Sequence, residues 1–267
     1  MSVALATTWN PRGELGRFER LLPQLEQAYS GIAISFPPVA DAEVVQLFLN
    51  GRLSGRPNLY VIQDQVWDRG RYKALELALR WPATHIHYAD MDRLLRWVEV
   101  YPEEWSRMVQ AIQNSDYLLM GRSPAAYATH PQSLVRTEAI SNRVASYLVG
   151  WTFIGDVSAG SKGFSRRAVE FLLANTQPVR ALGTDAEWTV LLQRAGFRLD
   201  YVELDGLDWE SADRYRERAA SPEEQRAAAQ AIDTDAQRWA GRVEVALEIV
   251  EAALDAAHRP LEAGSKE

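Results

Sequence analysis

A chain of 267 residues that is 47% hydrophobic is long enough to bury the core of one large α/β domain, and that content excludes general disorder. A formal charge of −7 and a pI near 5.3 leave no basic excess for a phosphate backbone, so nucleic acid is not an expected partner. The absence of cysteine removes disulfides, thiolate zinc sites and cysteine nucleophiles together, suits a reducing cytoplasm, and leaves any metal to oxygen and imidazole ligands.

The N-terminal "MSVALATTWNPRG" has no basic region followed by a long apolar segment, and "VASYLVGWTFIG" is too short and interrupted to span a bilayer. A soluble, cytoplasmic protein is expected, with peripheral membrane contact as the most a bilayer could offer. Short β-rich runs predict strands over 3–8 ("VALATT"), 31–36 ("GIAISF"), 58–63 ("NLYVIQ") and 84–89 ("THIHYA"), with helical spacing over 14–28, 41–50 and 70–80. That alternation predicts parallel strands with right-handed crossovers and a ligand at their carboxyl ends, where Asp90 and Asp92 fall. Next come a helix start in "PEEWSRMVQAIQ", a buried strand in "DYLLMGR" ending at Gly121 and Arg122, and a helix in "TEAISNRVASYLVG" with Ile140, Val144 and Leu148 on one face. "DVSAGSKGFSRRAVEFLLA" reads as a Gly- and Ser-rich loop running into a helix, and "TDAEWTVLLQRAGFRLDYVEL" as a capped helix, a glycine stop and a strand. From 221 the chain reads as amphipathic helices ending in the tail "HRPLEAGSKE". Val243, Leu247, Val250 and Leu254 are spaced to pack on the domain or on a second copy as a homodimer. The expected division is therefore 1–220 as the main domain and 221–267 as a C-terminal helical extension and tail.

Two carboxylates one residue apart at a strand end can converge on Mg²⁺ or Mn²⁺, whose shell is completed by waters and phosphate oxygens. Asp90 before "RLLRWVE" is equally what a helix N-cap looks like. His85 and His87, at i and i+2 on a strand, share a face and could hold zinc with Asp90, in a pattern similar to the metallo-β-lactamase-like hydrolases. Here Asp90 falls one position late, no histidine follows it, and only His130 and His258 remain, so a packed pair of neutral histidines is the expected role. Thr184 with Asp185 and Glu187 on the first helical turn reads either as capping or as a site for a general base.

The order of these pieces resembles the family 2 type glycosyltransferases of the GT-A fold, which use nucleotide sugars. The first strand ends in "TTWNPRGELGRFERLLPQL", a third leads to "DRGRYKALELAL", and a fourth ends in the Asp-x-Asp of "YADMD". The segments "SAGSKGFSRRAVEFLL" and "TDAEWTVLLQRAGFRLDYV" are similar to the family's Gly-rich segment and Glu-Asp element, and the likeness spans roughly residues 3 to 205. It implies an α/β fold with a mostly parallel central sheet flanked by helices. It also implies that Asp90 and Asp92 serve ribose and metal-bound diphosphate, and that Thr8, Arg69, Arg71 and Lys73 lie near the nucleotide, with Gly70 starting their helix. Asp185 becomes the base toward a hydroxyl acceptor, with Thr184 where Glu is usual. Gly160, Glu187 and Trp188 fall on the acceptor side, and Asp208, in "DGLDWESADRY", is a further metal candidate beside Asp205, Trp209 and Glu210.

The sequence departs from the family where the second strand ends in "SFPPVADAE", which leaves base recognition to Asp41 at most, and where Arg93 follows the aspartates directly. "THPQSLVRTE", with His130, Arg136 and Glu138, reads as a surface loop or an acceptor-side segment. The expected activity is metal-assisted, inverting transfer of a sugar from a nucleotide donor to a hydroxyl. A metal-dependent phosphate-ester hydrolase or nucleotidyltransferase, and an inactive nucleotide-sugar-binding relative, are the alternatives.

Overall fold

Val3–Thr8 (β1) and Ile32–Phe36 (β2) are apolar on both faces, as strands covered by helices on both sides require. In the computed structural model, which describes residues 2–176 and 182–262, they pair in parallel with Leu5 opposite Ile32 and Thr8 opposite Ser35. Leu5 and Trp9 enter one layer of the core with Phe18, Phe36 and Phe48, whereas Ala4 and Ala6 enter the other, against Tyr72 and Leu75. The first crossover helix, Leu15–Ala28 (α1), buries Phe18, Leu21, Leu22 and Leu25, the helical spacing that carried its prediction.

Chain order continues with α2 (Ala42–Leu49), β3 (Leu59–Gln63), α3 (Gly70–Ala78), β4 (His85–Ala89), α4 (Met91–Val100), α5 (Pro102–Ala111), β5 (Tyr117–Arg122), α6 (Pro124–Tyr127), α7 (Gln132–Val149), β6 (Ser161–Ser165), α8 (Arg166–Asn175), α9 (Thr184–Arg194), β7 (Leu199–Leu204), α10 (Pro222–Asp233) and α11 (Ala236–His258). The seven strands form one sheet in the order β3-β2-β1-β4-β6-β5-β7, parallel except for β6, which runs antiparallel to both neighbours. The expected mostly parallel α/β sheet is therefore present.

Three local expectations are corrected. The Gly- and Ser-rich stretch before α8 is a central strand rather than a loop, and its Gly163 is required because a Cβ there would lie 2.5 Å from Ile112. "THPQSLVRTE" is no surface loop, since it covers the start of α7 and holds His130 and Glu138 buried. Ile140 is 61% exposed, because α7 seats Thr137, Ser141 and Ala145 instead.

The C-terminal helices begin with a capping box between Ser221 and Glu224, with Pro222 in the first turn of α10. Helix α11 packs on α7 and α9 through Ala246, Ile249, Ala253 and Ala256, which turns Val243, Leu247 and Leu254 to the surface. The last five residues of the expected tail lie outside the described residues. No helix among the described residues is long and apolar enough to cross a membrane.

Candidate functional site

Parallel strands leave their carboxyl ends at one edge of the sheet, and there a cleft of about 420 Å³ opens. Thr8, Trp9, Asn10 and Arg12 line it from the end of β1, Ser35 and Pro37 from β2, and Trp67, Gly70 and Arg71 from the start of α3. Asp90 and Asp92 enter from the end of β4, Glu210 and Arg214 from the segment after β7, and Leu182 and Arg242 from before α9 and from α11.

Asp90 occupies the N-cap position of α4, yet its side chain makes no capping hydrogen bond. Its Oδ1 accepts from the Tyr88 hydroxyl at 2.6 Å and the Thr8 hydroxyl at 3.2 Å, and its Oδ2 accepts from Arg71 at 3.4 Å. The end of β1, the end of β4 and the first turn of α3 thus meet at one carboxylate. Gly160, at φ +73°, makes this possible, because a Cβ there would sit 2.8 Å from Asp90 Oδ2 and 3.2 Å from Arg93 Nε. Gly160 therefore belongs beside Asp90.

Two residues on, in the first turn of α4, burial raises the pKa of the Asp92 carboxyl to about 7, and Glu210 and Asp90 add like-charge repulsion. Arg93 relieves part of that crowding: its Nη2 lies 3.1 Å from Glu210, while its buried Nε and Nη1 have no hydrogen-bond partner. Among the described residues no three histidine, aspartate or glutamate side chains gather closely enough to hold a metal by themselves. A cation at Asp92 and Glu210 would need ligand or water oxygens to complete its shell.

Asp185, at the start of α9, is held by Arg71 at 2.6 Å and Lys162 at 3.2 Å. Burial pushes its carboxyl up, but the two cations outweigh burial and hold it below the ordinary aspartate range. Gly183, not Thr184, holds the N-cap position of α9, and the Thr184 hydroxyl accepts from Arg71 at 2.9 Å. Arg214 is disfavoured as a cation by burial and then by Arg12, and its Nε has no hydrogen-bond partner; Tyr215, at φ 60°, donates its backbone N–H to Arg12 at 2.7 Å and ties the two loops together. Arg242 reaches the cleft from α11 while pairing with Glu138, whose other oxygen takes Arg122.

Other expected site residues lie elsewhere. Trp188 is fully buried against Tyr72, Tyr88 and Phe164, which leaves no ring face for an acceptor. Glu187 is buried with Tyr72, Thr176 and Arg259. Asp208 is enclosed by Arg96, at 2.6 and 2.7 Å, and Gln225, so it braces α4 and α10 rather than facing a metal; Glu210 takes the place in the cleft. Lys73 pairs with Glu76, Arg69 is exposed, and neither lines the cleft; Asp41 caps α2. His87 is buried between Tyr29 and Ser161, and burial lowers its pKa to about 3, which makes it a neutral packing residue as the strand pattern predicted. The histidines do not assemble a zinc site among the described residues.

No family model matches the sequence, and no curated protein sequence matches it. Solved structures do. Glucosyl-3-phosphoglycerate synthase from Mycobacterium tuberculosis aligns with 97% of this chain and 81% of its own, at 11% identity and a TM-score of 0.54. Its complex with Mn²⁺, uridine diphosphate and phosphoglyceric acid aligns with 97% and 79%, at 10% identity and the same TM-score, 0.54. The fold is that of the GT-A glycosyltransferases. At such identities the likeness establishes architecture, and activity has to be argued from the cleft.

Proposed function

We propose that this protein transfers a sugar from a nucleotide-sugar donor to a hydroxyl acceptor in the cleft at the carboxyl ends of β1, β2 and β4. The observation that carries this reading is the mixture of charge in that cleft. A donor diphosphate with its counter-cation presents both signs at once, and here Asp92 and Glu210 lie beside Arg12, Arg71, Arg214 and Arg242. The Mn²⁺ and uridine diphosphate held by the similarly folded synthase support the same reading.

Mg²⁺ or Mn²⁺ fits Asp92 and Glu210, since two crowded carboxylates are relieved by a cation; when bound it offsets charge on a departing diphosphate. Arg71, steered by Asp185 and Asp90, supplies a fixed guanidinium at the N-terminus of α3, where backbone N–H groups also favour an anion. Arg12 and Arg214 stand close enough to oppose one another, and an anion between them removes that opposition. Asp90, anchored by Thr8 and Tyr88, orients the donor from the β4 side.

The base role expected of Asp185 needs a carboxylate at the acceptor hydroxyl. Its two ion pairs keep Asp185 ionised and weakly basic, so in this reading its main work is to position Arg71 and Lys162. Proton NMR of the product's anomeric centre bears on the base role: inversion requires some base at the acceptor face, whereas retention would leave Asp185 the positioning role alone.

The experiment is a nucleotide-sugar panel assayed with Mg²⁺ and with Mn²⁺. Metal-dependent release of nucleoside diphosphate, coupled to a glycosylated product, is the expected result. Release of pyrophosphate or inorganic phosphate from the same donors would refute sugar transfer, and tight nucleotide binding with no turnover on any donor would make the protein a binding relative.

A further inference from the structure

Helices α7 and α11 lie side by side and parallel. The Arg136 guanidinium sits 5.9 Å from the Trp239 ring centre, and two residues further along α7 Glu138 pairs with Arg242. Continued along both helices at the common rise of ~1.5 Å per residue, that register would bring Ile140 level with Val243 and Glu244, Arg143 with Ala246 and Leu247, and Tyr147 with Val250 and Glu251. The inner faces pack on the domain. The outer faces leave Ile140 61%, Tyr147 68%, Val243 57%, Leu247 55% and Leu254 43% exposed, which is five of the large apolar side chains that the protein shows to solvent, all on two adjoining helices.

Charge on this surface is divided between the helices. The exposed charged residues of α7 are Arg136 and Arg143, while its one acid, Glu138, is buried. Beyond its first turn, α11 exposes Glu244, Glu251 and Asp255. A surface with a basic half, an acidic half and an apolar stripe along both is complementary to itself under a two-fold rotation.

We propose that the outer face of α7 and α11 is the interface of a homodimer of this chain. A two-fold axis parallel to the helices, lying in the plane of contact, sets α7 of one copy on α11 of the other. Ile140 then meets Val243, Tyr147 falls between Leu247 and Leu254, and Arg143 reaches Glu244. The spacing of Val243, Leu247, Val250 and Leu254 alternates four and three residues, the repeat of helices that pack along their length. The inner side of the same helix places Arg242 in the cleft and sets Glu248 to accept the N–H groups of Leu182, at 2.7 Å, and Gly183, at 3.1 Å. Dimerisation would steady a helix that builds the site, and the interface does not depend on which reaction the site performs.

Sedimentation velocity of the full chain from ~1 to ~100 μM tests this. The wild type is expected to reach twice the monomer mass, Leu247→Glu to stay at the monomer mass, and Arg143→Glu to weaken association by at least ~10-fold. The double variant Arg143→Glu with Glu244→Arg, which exchanges the charges, should regain association. Circular dichroism melts check that each variant is folded, which surface positions permit. A wild type that stays monomeric throughout, a dimer unaffected by Leu247→Glu, or binding of the monomer to anionic vesicles through this face would each overturn the proposal.

Discussion

Replacing Asp185 with Asn separates a positioning role from a base role. Its carboxylate is 6% exposed and lies 2.6 Å from Arg71, while Lys162, 1% exposed, approaches to 3.2 Å. Asparagine keeps the shape but leaves two buried cations facing an amide, and breaking a buried pair by removing one partner costs ~3–5 kcal/mol. Arg71 retains Thr184 and Asp90, so the lower end, ~3 kcal/mol, is expected. At ~2–4 °C per kcal/mol for a chain of this size, Tm should fall by ~6–12 °C at pH 7. The folded pKa of Asp185 is depressed, so its contribution is present above the unfolded value of ~3.9 and lost as pH falls through the folded one. The Tm difference between wild type and variant should therefore shrink as the pH drops below ~4. Titration calorimetry with a nucleoside diphosphate should show binding weakened by ~10-fold or more, because Arg71 is no longer steered. Unchanged Tm and unchanged nucleotide affinity with transfer abolished would refute the positioning argument and return Asp185 to the base role.

Much of the strand-end chemistry was legible because short, continuous apolar runs bounded by polar residues fix where buried strands stop, and parallel topology says which end binds. Asp90 and Asp92 follow from that rule, Thr8 and Arg71 from the family resemblance, and the four share one cleft. Helix α9 hid its geometry for the opposite reason: Asp185 to Leu192 are all buried, so no face could be singled out and Trp188 could not be told from a rim aromatic. Glu187 is answered by Arg259, 72 positions away, a pairing that no local pattern signals. Asp208 follows one short 3₁₀ turn and Glu210 begins the next, where side-chain direction has no long period to read, and the structure encloses the first against Arg96 while setting the second in the cleft wall. Arg242, 104 positions from its partner Glu138, carried no sequence signal beyond its place on an amphipathic helix. Strand β6 was missed because Ser161, Gly163 and Ser165 lack the branched side chains that mark strands; its place between β4 and β5 supplies the burial that they do not.

Trp188→Phe should lower Tm and leave the acceptor KM unchanged in steady-state assays, because the ring is core; a selective rise in that KM would restore it as an acceptor contact. Gly160→Ala should cut transfer by at least ~10-fold with a modest loss of stability, since the new Cβ meets Asp90 Oδ2 in a left-handed backbone, and full activity would contradict the close approach. The Asp92 carboxyl has a folded pKa raised to about 7, so without metal its ionisation destabilises the fold as pH rises from ~4 towards that value. Asp92→Asn should accordingly raise the metal-free Tm at pH 8 more than at pH 5, and a pH-independent difference would remove the crowding of Asp92 with Glu210 and Asp90. Glu210→Gln and Asp208→Asn, two residues apart, carry the sharpest contrast. Glu210 lines the cleft beside Asp92, so its amide should weaken Mn²⁺ binding in the presence of nucleoside diphosphate by ~10-fold, while the stability lost with the buried Arg93 pair is offset in part by relief of its repulsion of Asp92. Asp208 instead takes two hydrogen bonds from buried Arg96, so its amide should cost ~3 kcal/mol of stability and leave Mn²⁺ affinity unchanged. Electron paramagnetic resonance titration of Mn²⁺ with thermal melts on both variants measures each arm; loss of Mn²⁺ affinity in folded Asp208→Asn alone would transfer the ligand role back to Asp208, and would mean that the segment after β7 turns over when the donor binds.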